Sequence, residues 1–251
     1  MQIGWRVAKR LLVLGGIMVV TAAPSRAVDL TLDVFQNGQS SGSLNASQLG
    51  CSGTGATSSH CSAQNVSVGD LLIQNLNLNL DTDPSVNGVI AVQNMAAGTQ
   101  QFTLTVTLGT GPVGNPTTVT GGSVAGGVTD NNGNGATLST VAGSALYTAL
   151  IDGVLHQTLF PDPTSVSVNG VTDPFGSADL VPPGAFGTPI PSLPGPAVAS
   201  SIGIRYNFNL TAQDSASFTG VFVVEPIPEP ATAALFAVGL GGLAVIGRRR
   251  S

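Results

Sequence analysis

The two cysteines of the chain are the first residues that could do chemistry. Cys51 and Cys61 stand ten positions apart, and His60 directly precedes the second of them. Two sulfurs and an imidazole could begin a zinc site, but no fourth ligand follows at a usual spacing. In an oxidising compartment the same pair would close a short loop as a disulfide, which stabilises a fold by about 2–3 kcal/mol at most. We therefore predict a disulfide between Cys51 and Cys61, with the metal site as the alternative.

A second candidate is the hexapeptide Asp130-Asn131-Asn132-Gly133-Asn134-Gly135. Asp130, Asn132 and Asn134 place oxygen ligands at positions one, three and five, as at the start of a calcium-binding loop. Val141 occupies position twelve, where such a loop needs a bidentate Glu, so the segment is not an EF-hand. Hexapeptides rich in Asn and Gly are also ordinary turns. The segment is thus either a turn or a calcium site, and we expect no other cofactor.

A polar row is the third candidate, formed by Asn75, Asn77, Asn79, Asp81 and Asp83. These side chains share one face of a predicted strand and the turn after it. They could bind a sugar or a cation, but a solvated sheet face explains them as well.

The histidines give little support for catalysis. His156 follows Asp152 by four residues, a spacing that pairs side chains only on a helix. The chain has no zinc helix motif and no phosphate loop. We predict that the protein is not an enzyme; a hydrolase, the alternative, would need carboxylates or His156 converging in one pocket.

Strands are the elements that must position these residues. Apolar and polar side chains alternate in residues 28–34, 76–80, 102–108, 204–210 and 218–224. This period of two is typical of antiparallel strands with one buried face. With shorter segments included, the pattern predicts an all-β protein, an antiparallel, jelly-roll-like β-sandwich of roughly ten strands over residues 28–227.

Two segments leave the strand pattern open. Residues 144–155 are either a strand pair or a short helix, and we predict the pair because Asp152-Gly153 is a strong hairpin signal. Residues 160–196 contain nine of the sixteen prolines. This proline-rich region is predicted to be a long loop, either ordered by Phe175 and Phe186 or a flexible flap.

Charge is distributed unevenly along the chain. Four of the eight basic residues lie before residue 28 and three lie at the C-terminus, so Arg205 is the only one between them. All thirteen acidic residues lie in residues 28–229, which leaves that region, with thirteen acidic residues against one basic, at about −12. Binding to nucleic acid needs Lys and Arg, and we therefore exclude nucleic acid as a partner.

The N-terminus predicts a signal peptide over residues 1–27. Arg6, Lys9 and Arg10 precede a short apolar stretch, and Ser25 and Ala27 place small residues at positions −3 and −1 of a cleavage site after Ala27. An uncleaved N-terminal anchor is the alternative.

The C-terminus, residues 228–251, has three consecutive parts. Pro228, Glu229 and Pro230 come first, an uncharged apolar run follows over residues 231–246, and Arg248, Arg249 and Arg250 end the chain. The apolar run predicts a transmembrane helix about 24 Å long, slightly short of a hydrocarbon core of about 30 Å. The arginine side chains can reach the interface and should remain cytoplasmic.

This three-part end resembles the PEP-CTERM sorting signal of bacterial exported proteins; a plain membrane anchor is the alternative. The resemblance implies processing by an exosortase after an inner-membrane intermediate, and delivery to the cell surface, outer envelope or extracellular matrix. It also implies exopolysaccharide as a partner. We therefore expect an exported structural or adhesive matrix protein. The alternative is a carbohydrate-binding module, with or without calcium, on the same sandwich.

Overall fold

The computed structural model describes residues 29–53, 58–81 and 83–227, and within them every regular element is a β-strand. The strands are β1 (Leu30–Gln36), β2 (Gln39–Asn45), β3 (Ser52–Gly53), β4 (Ser58–Val68), β5 (Leu71–Asp81), β6 (Ser85–Asn94), β7 (Gln100–Gly109), β8 (Val113–Thr129), β9 (Ala136–Thr140), β10 (Ala145–Ile151), β11 (Val154–Pro161), β12 (Ser165–Val168), β13 (Ser177–Asp179), β14 (Gly184–Phe186), β15 (Leu193–Val198), β16 (Ser201–Leu210) and β17 (Ser215–Pro226).

These strands form two sheets in which every pairing is antiparallel. The first sheet has the order β11-β10-β16-β7-β1-β2, with β9 beside β16 and β12 beside β9. The second sheet has the order β13-β8-β17-β6-β5-β4-β3, and β14 and β15 also pair with β8. The predicted all-β, antiparallel class is confirmed.

Alternation explains why one face of each sheet is buried. In β1, Leu30, Leu32 and Val34 are at most 1% exposed, while Thr31 and Asp33 between them are half-buried. Successive side chains of a strand point to opposite faces, so the apolar set reaches the core and the polar set faces outward. The five alternating segments of the sequence lie in β1, β5, β7, β16 and β17, as predicted.

Aromatic side chains join the two sheets across the core. Tyr206 of the first sheet stacks on Phe218 of the second, with ring centroids 4.9 Å apart, and Phe208 lies 5.0 Å from the same ring. The hydroxyl of Tyr147 crosses from β10 and donates to the carbonyl of Val221 in β17 at 2.8 Å. The two sheets therefore pack face to face around one hydrophobic core.

The hairpin prediction at residues 144–155 is confirmed. Strands β10 and β11 pair directly, with Asp152 and Gly153 between them at φ of 50° and 75°. Two consecutive positive φ angles define the tight turn that matches the twist of the flanking strands, and Gly adopts them without a Cβ penalty. The short-helix alternative is wrong.

The proline-rich segment needs a correction. Residues 160–196 contain β12, β13 and β14 and the start of β15, and β13 to β15 run along β8 one after another. They form an outer edge, where a proline without an N–H costs no ladder bond. Strand β8 accepts close neighbours because it is rich in glycine: a Cβ on Gly122 would lie 2.7 Å from the ring of Phe186. The described residues thus contain seventeen strands, and the predicted number of roughly ten was too low.

Within the described ranges, no helix is long and apolar enough to cross a membrane. The predicted signal peptide over residues 1–27 and transmembrane helix over 231–246 lie outside those ranges.

Candidate functional site

A polar row crosses the outer face of the first sheet. Ile204 and Tyr206 are both 2% exposed and face the core, so Arg205 between them points to the opposite side. Residues directly opposite each other on paired strands share a face. The register therefore places one row side by side: Asp33, Thr105, Arg205, Thr148 and Thr158.

An open groove of about 420 Å³ lies over the Arg205 end of this row. We call it the Arg205 groove. Its floor contains Arg205, Thr148, Thr158 and Asn207. Its walls are Gly143, Ser144, Ala145, Leu155, Pro161 and Asp162. The groove thus combines a cation, several hydroxyl and amide groups, and a small apolar wall.

The guanidinium of Arg205 is only lightly engaged. Its Nε donates to Thr105 Oγ1 at 3.3 Å, the one hydrogen bond that the described residues supply to this side chain. None of their carboxylates forms an ion pair with it. Asp33 shares the row but lies two strands away, about 10 Å, since neighbouring strands are about 4.8 Å apart. The cation faces the groove without a counter-ion from the described part of the chain.

Asp162 fixes the rim of the groove. Its Oδ1 accepts the hydroxyl of Thr140 and its Oδ2 accepts the N–H of Gly143, both at 3.0 Å. Thr140 ends β9, and Gly143 lies in the turn that leads into β10. Both carboxylate oxygens therefore serve to hold the β9–β10 turn in place beside Arg205.

The predicted disulfide between Cys51 and Cys61 is confirmed. Cys61 is fully buried in β4, and Cys51 packs against the same core just before β3. The bond fastens the two-residue strand β3 to β4 at the edge of the second sheet. Because both sulfurs are used, the alternative zinc site is wrong, and His60 instead lies 3.2 Å from Asn77 Oδ1 through its Nε2.

The predicted calcium ligands Asp130, Asn132 and Asn134 lie in one turn between β8 and β9. Asp130 is 1% exposed and accepts N–H donors from Asn132, Gly133, Gly135 and Phe175 at 2.8–3.3 Å. Burial alone would raise the pKa of Asp130, but these four donors outweigh it and hold the pKa below its ordinary value. A carboxylate has about four lone-pair sites. The turn is therefore stabilised by three of its own N–H groups and by that of Phe175.

The other predicted residues do not converge. His156 lies against the ring of Phe222, with Nε2 2.8 Å from Thr120 Oγ1, and burial lowers its pKa. Asp152 accepts backbone N–H groups from residues 199–201 instead of pairing with His156. No cluster of three or more His, Cys, Asp or Glu suited to a metal occurs among the described residues.

The polar row of β5 stays on the surface. Asn75, Asn77 and Asn79 are exposed on the outer face of the second sheet, and Asp83 is exposed in the turn after it. Asn79 donates to Asn87 Oδ1 on the next strand at 3.4 Å. The described residues of this row therefore lie on a solvent-exposed sheet face and in the turn after it.

The tail follows directly from the second sheet. Strand β17 lies between β6 and β8 and ends at Pro226, and the exposed Ile227 is the last described residue. Residues 226–251 match the PEP-CTERM protein-sorting motif. The tail is a PEP-CTERM sorting signal. A search of curated proteins finds no match to the chain.

The PEP-CTERM signal marks the protein as exported and processed by an exosortase. The predicted signal residues Pro228, Glu229, Pro230 and Arg248 to Arg250 all lie inside the matched range. They and the predicted cleavage site at Ala27 lie outside the described residues.

Sequence reasoning missed the Arg205 groove. The signal that could have found it is compositional: Arg205 is the single basic residue in residues 28–247. Its neighbours could not be found this way, because Thr105 and Thr148 are 100 and 57 positions away along the chain.

Proposed function

We propose that the protein is a structural or adhesive component of the cell surface or of an exopolysaccharide-containing extracellular matrix. In this proposal, residues 1–27 are removed on export, and a helix over residues 231–246 holds the chain in the inner membrane until an exosortase acts. The mature domain, a jelly-roll-like sandwich, then acts without catalysing a reaction. The observation that carries the proposal is the PEP-CTERM match at residues 226–251, directly after the last strand.

Two properties of the described domain support this role. A disulfide closes the edge of the second sheet, as is usual in chains that fold outside the cytoplasm. Thirteen acidic residues against Arg205 give residues 28–229 a strongly negative charge, which favours solubility and disfavours anionic membrane surfaces.

Replacement of Pro228, Glu229 and Pro230 by alanine tests the proposal in an exosortase-containing bacterium. The triple variant should accumulate in membranes at its unprocessed mass, whereas the wild type should reach the surface or medium with a shortened C-terminus. Mass spectrometry of both fractions measures the termini. Glu225→Ala, an exposed change just before the matched residues, is the control and should be processed normally. Normal processing of the triple variant would contradict the sorting role.

A second candidate function is carbohydrate binding by the same domain. The Arg205 groove favours it, because its hydroxyl and amide groups beside a small apolar wall suit a sugar ring and its hydroxyls. A glycan array probed with the processed protein, with and without calcium, distinguishes this candidate from a purely structural role.

A further inference from the structure

We infer that the Arg205 groove binds an acidic saccharide, with the sugar carboxylate held by the Arg205 guanidinium. The inference rests on the carbohydrate-binding candidate above and adds the class of sugar and the residue that selects it.

The distribution of charged residues favours an anionic ligand at Arg205. Residues 28–229 contain thirteen acidic residues and one basic residue, so a structural arginine would have many carboxylates to pair with. Arg205 nevertheless has no ion pair among the described residues and uses Nε alone, towards Thr105. A guanidinium has five N–H donors, and its planar fork matches a carboxylate in two parallel hydrogen bonds. The two terminal amino groups of Arg205 suit an anionic ligand from outside the domain.

The other side chains of the groove suit a sugar. Thr148, Thr158 and Asn207 lie beside Arg205 and can bond sugar hydroxyls as donors and acceptors. Leu155, 62% exposed, gives the groove an apolar wall against which the C–H face of a sugar ring can pack. A groove of about 420 Å³ lies within the range of about 300–1,000 Å³ that small-molecule ligands occupy.

Alternative ligands fit less well. A cation would meet Arg205, and the one carboxylate of the groove, Asp162, already holds Thr140 and Gly143. An acidic peptide would gain its main-chain hydrogen bonds from an open strand edge. In this groove β10 is paired on both sides, with β11 and β16, so its backbone presents no such edge. Strand β11 ends the sheet and is paired on one side only among the described residues, so its free edge is where a peptide would bind, and triglutamate tests that ligand. A saccharide needs only the side chains that the groove supplies.

Isothermal titration calorimetry on the processed protein, purified from an exosortase-containing bacterium, tests the inference at low salt. The probes are trigalacturonic acid, neutral galactotriose, triglutamate and sodium acetate. Trigalacturonic acid should bind, and galactotriose should bind at least about tenfold more weakly, because a charge-assisted pair is lost.

Variants assign the effect to Arg205. Arg205→Gln should remove the preference for the acidic sugar, and Arg205→Lys should retain part of it, because Lys keeps the charge without the planar fork. A cooperative melt close to that of the wild type shows that each variant is folded.

The outcomes separate this inference from the proposals on which it rests. Equal binding of galactotriose overturns the acidic class but leaves carbohydrate binding intact. Triglutamate or acetate binding as tightly as trigalacturonic acid overturns the saccharide as the ligand. Unchanged binding of trigalacturonic acid by Arg205→Gln overturns the role of Arg205. Absence of binding by either sugar overturns both the inference and the carbohydrate-binding candidate. None of these results changes C-terminal processing, which the Pro228-Glu229-Pro230 variant measures separately.

Discussion

The outer faces of the two sheets both carry polar rows, and the row on the first sheet lies in a groove. On the first sheet, the turn held by Asp162 and the hairpin of β10 and β11 stand around Arg205 and form a groove. On the second sheet, Asn75, Asn77 and Asn79 lie exposed along β5. Polarity alone therefore does not make a site; the groove depends on flanking turns that rise beside a row of side chains.

The two faces also differ in the chemical groups that they present. The groove presents a guanidinium with unpaired N–H donors, whereas amides of the β5 row contact side chains of the neighbouring strands, as Asn79 does with Asn87 and Asn77 with His60. Concentrated charge in a partly enclosed place binds more strongly than dispersed dipoles in open water. Substitutions in the core shared by both faces should have the largest effect, those beside the groove an intermediate effect, and those in the β5 row the smallest.

Phe218→Ala should have the largest effect, because it removes the contact on which both faces depend. Phe218 is fully buried in β17 and packs against Tyr206 and Phe208 of the opposite sheet. The free energy of unfolding should fall by about 3–5 kcal/mol, the usual cost of Phe→Ala in a core. Urea denaturation measures the loss. Phe35→Ala is the matched control, since Phe35 is 37% exposed, and similar losses in both variants would contradict the packing argument.

Many of the strands could be predicted from local sequence. Alternation locates β1, β5, β7, β16 and β17, since a half-buried strand must alternate. Asp152-Gly153 locates the hairpin because few other residue pairs tolerate two positive φ angles. The strands β13 to β15 could not be predicted in this way. They are short, proline-rich and paired with a glycine-rich strand, so their position depends on β8 and not on their own pattern.

The groove could not be predicted from local sequence either, because its residues come from separate strands. Its floor comes from β10, β11 and β16, and its rim from the β9–β10 turn and the end of β11. The register that brings Arg205 beside Thr105 and Thr148 is set by pairing between strands far apart in the chain. A one-residue shift in either pairing would turn one partner towards the core. The composition singles out Arg205, but only the register supplies its neighbours.

Asp152→Asn should have an intermediate effect and should act on the groove side of the molecule. The Asp152 carboxylate accepts the N–H groups of Ala199, Ser200 and Ser201, which ties the β10–β11 hairpin to the start of β16. Burial alone would raise the pKa of Asp152, but these hydrogen bonds lower it below the ordinary value of 3.8. Loss of one charged acceptor should cost about 1 kcal/mol at pH 7.

The pH dependence of Asp152→Asn follows from the lowered pKa. A carboxyl with a depressed folded-state pKa stabilises the fold above its unfolded pKa, and that contribution is lost as the pH falls through the folded value. The difference in melting temperature between wild type and Asp152→Asn should therefore be constant near neutral pH and shrink below 3.8. Asp33→Asn, on the outer face of the same sheet, is the control at pH 7. A gap that widens on acidification would show that Asp152 does not act as a charged acceptor.

Asn77→Ala should have the smallest effect, and it decides whether the β5 row is a second site. Asn77 is exposed on the outer face of the second sheet, and its Oδ1 lies 3.2 Å from His60 Nε2. An exposed polar substitution of this kind usually changes the free energy of unfolding by no more than about 0.5 kcal/mol. Binding of trigalacturonic acid should also remain at the wild-type level, because Asn77 and Arg205 lie on opposite sheets. If Asn77→Ala lost sugar binding while Arg205→Gln bound the sugar as the wild type does, the binding site would lie on the second sheet and not in the Arg205 groove.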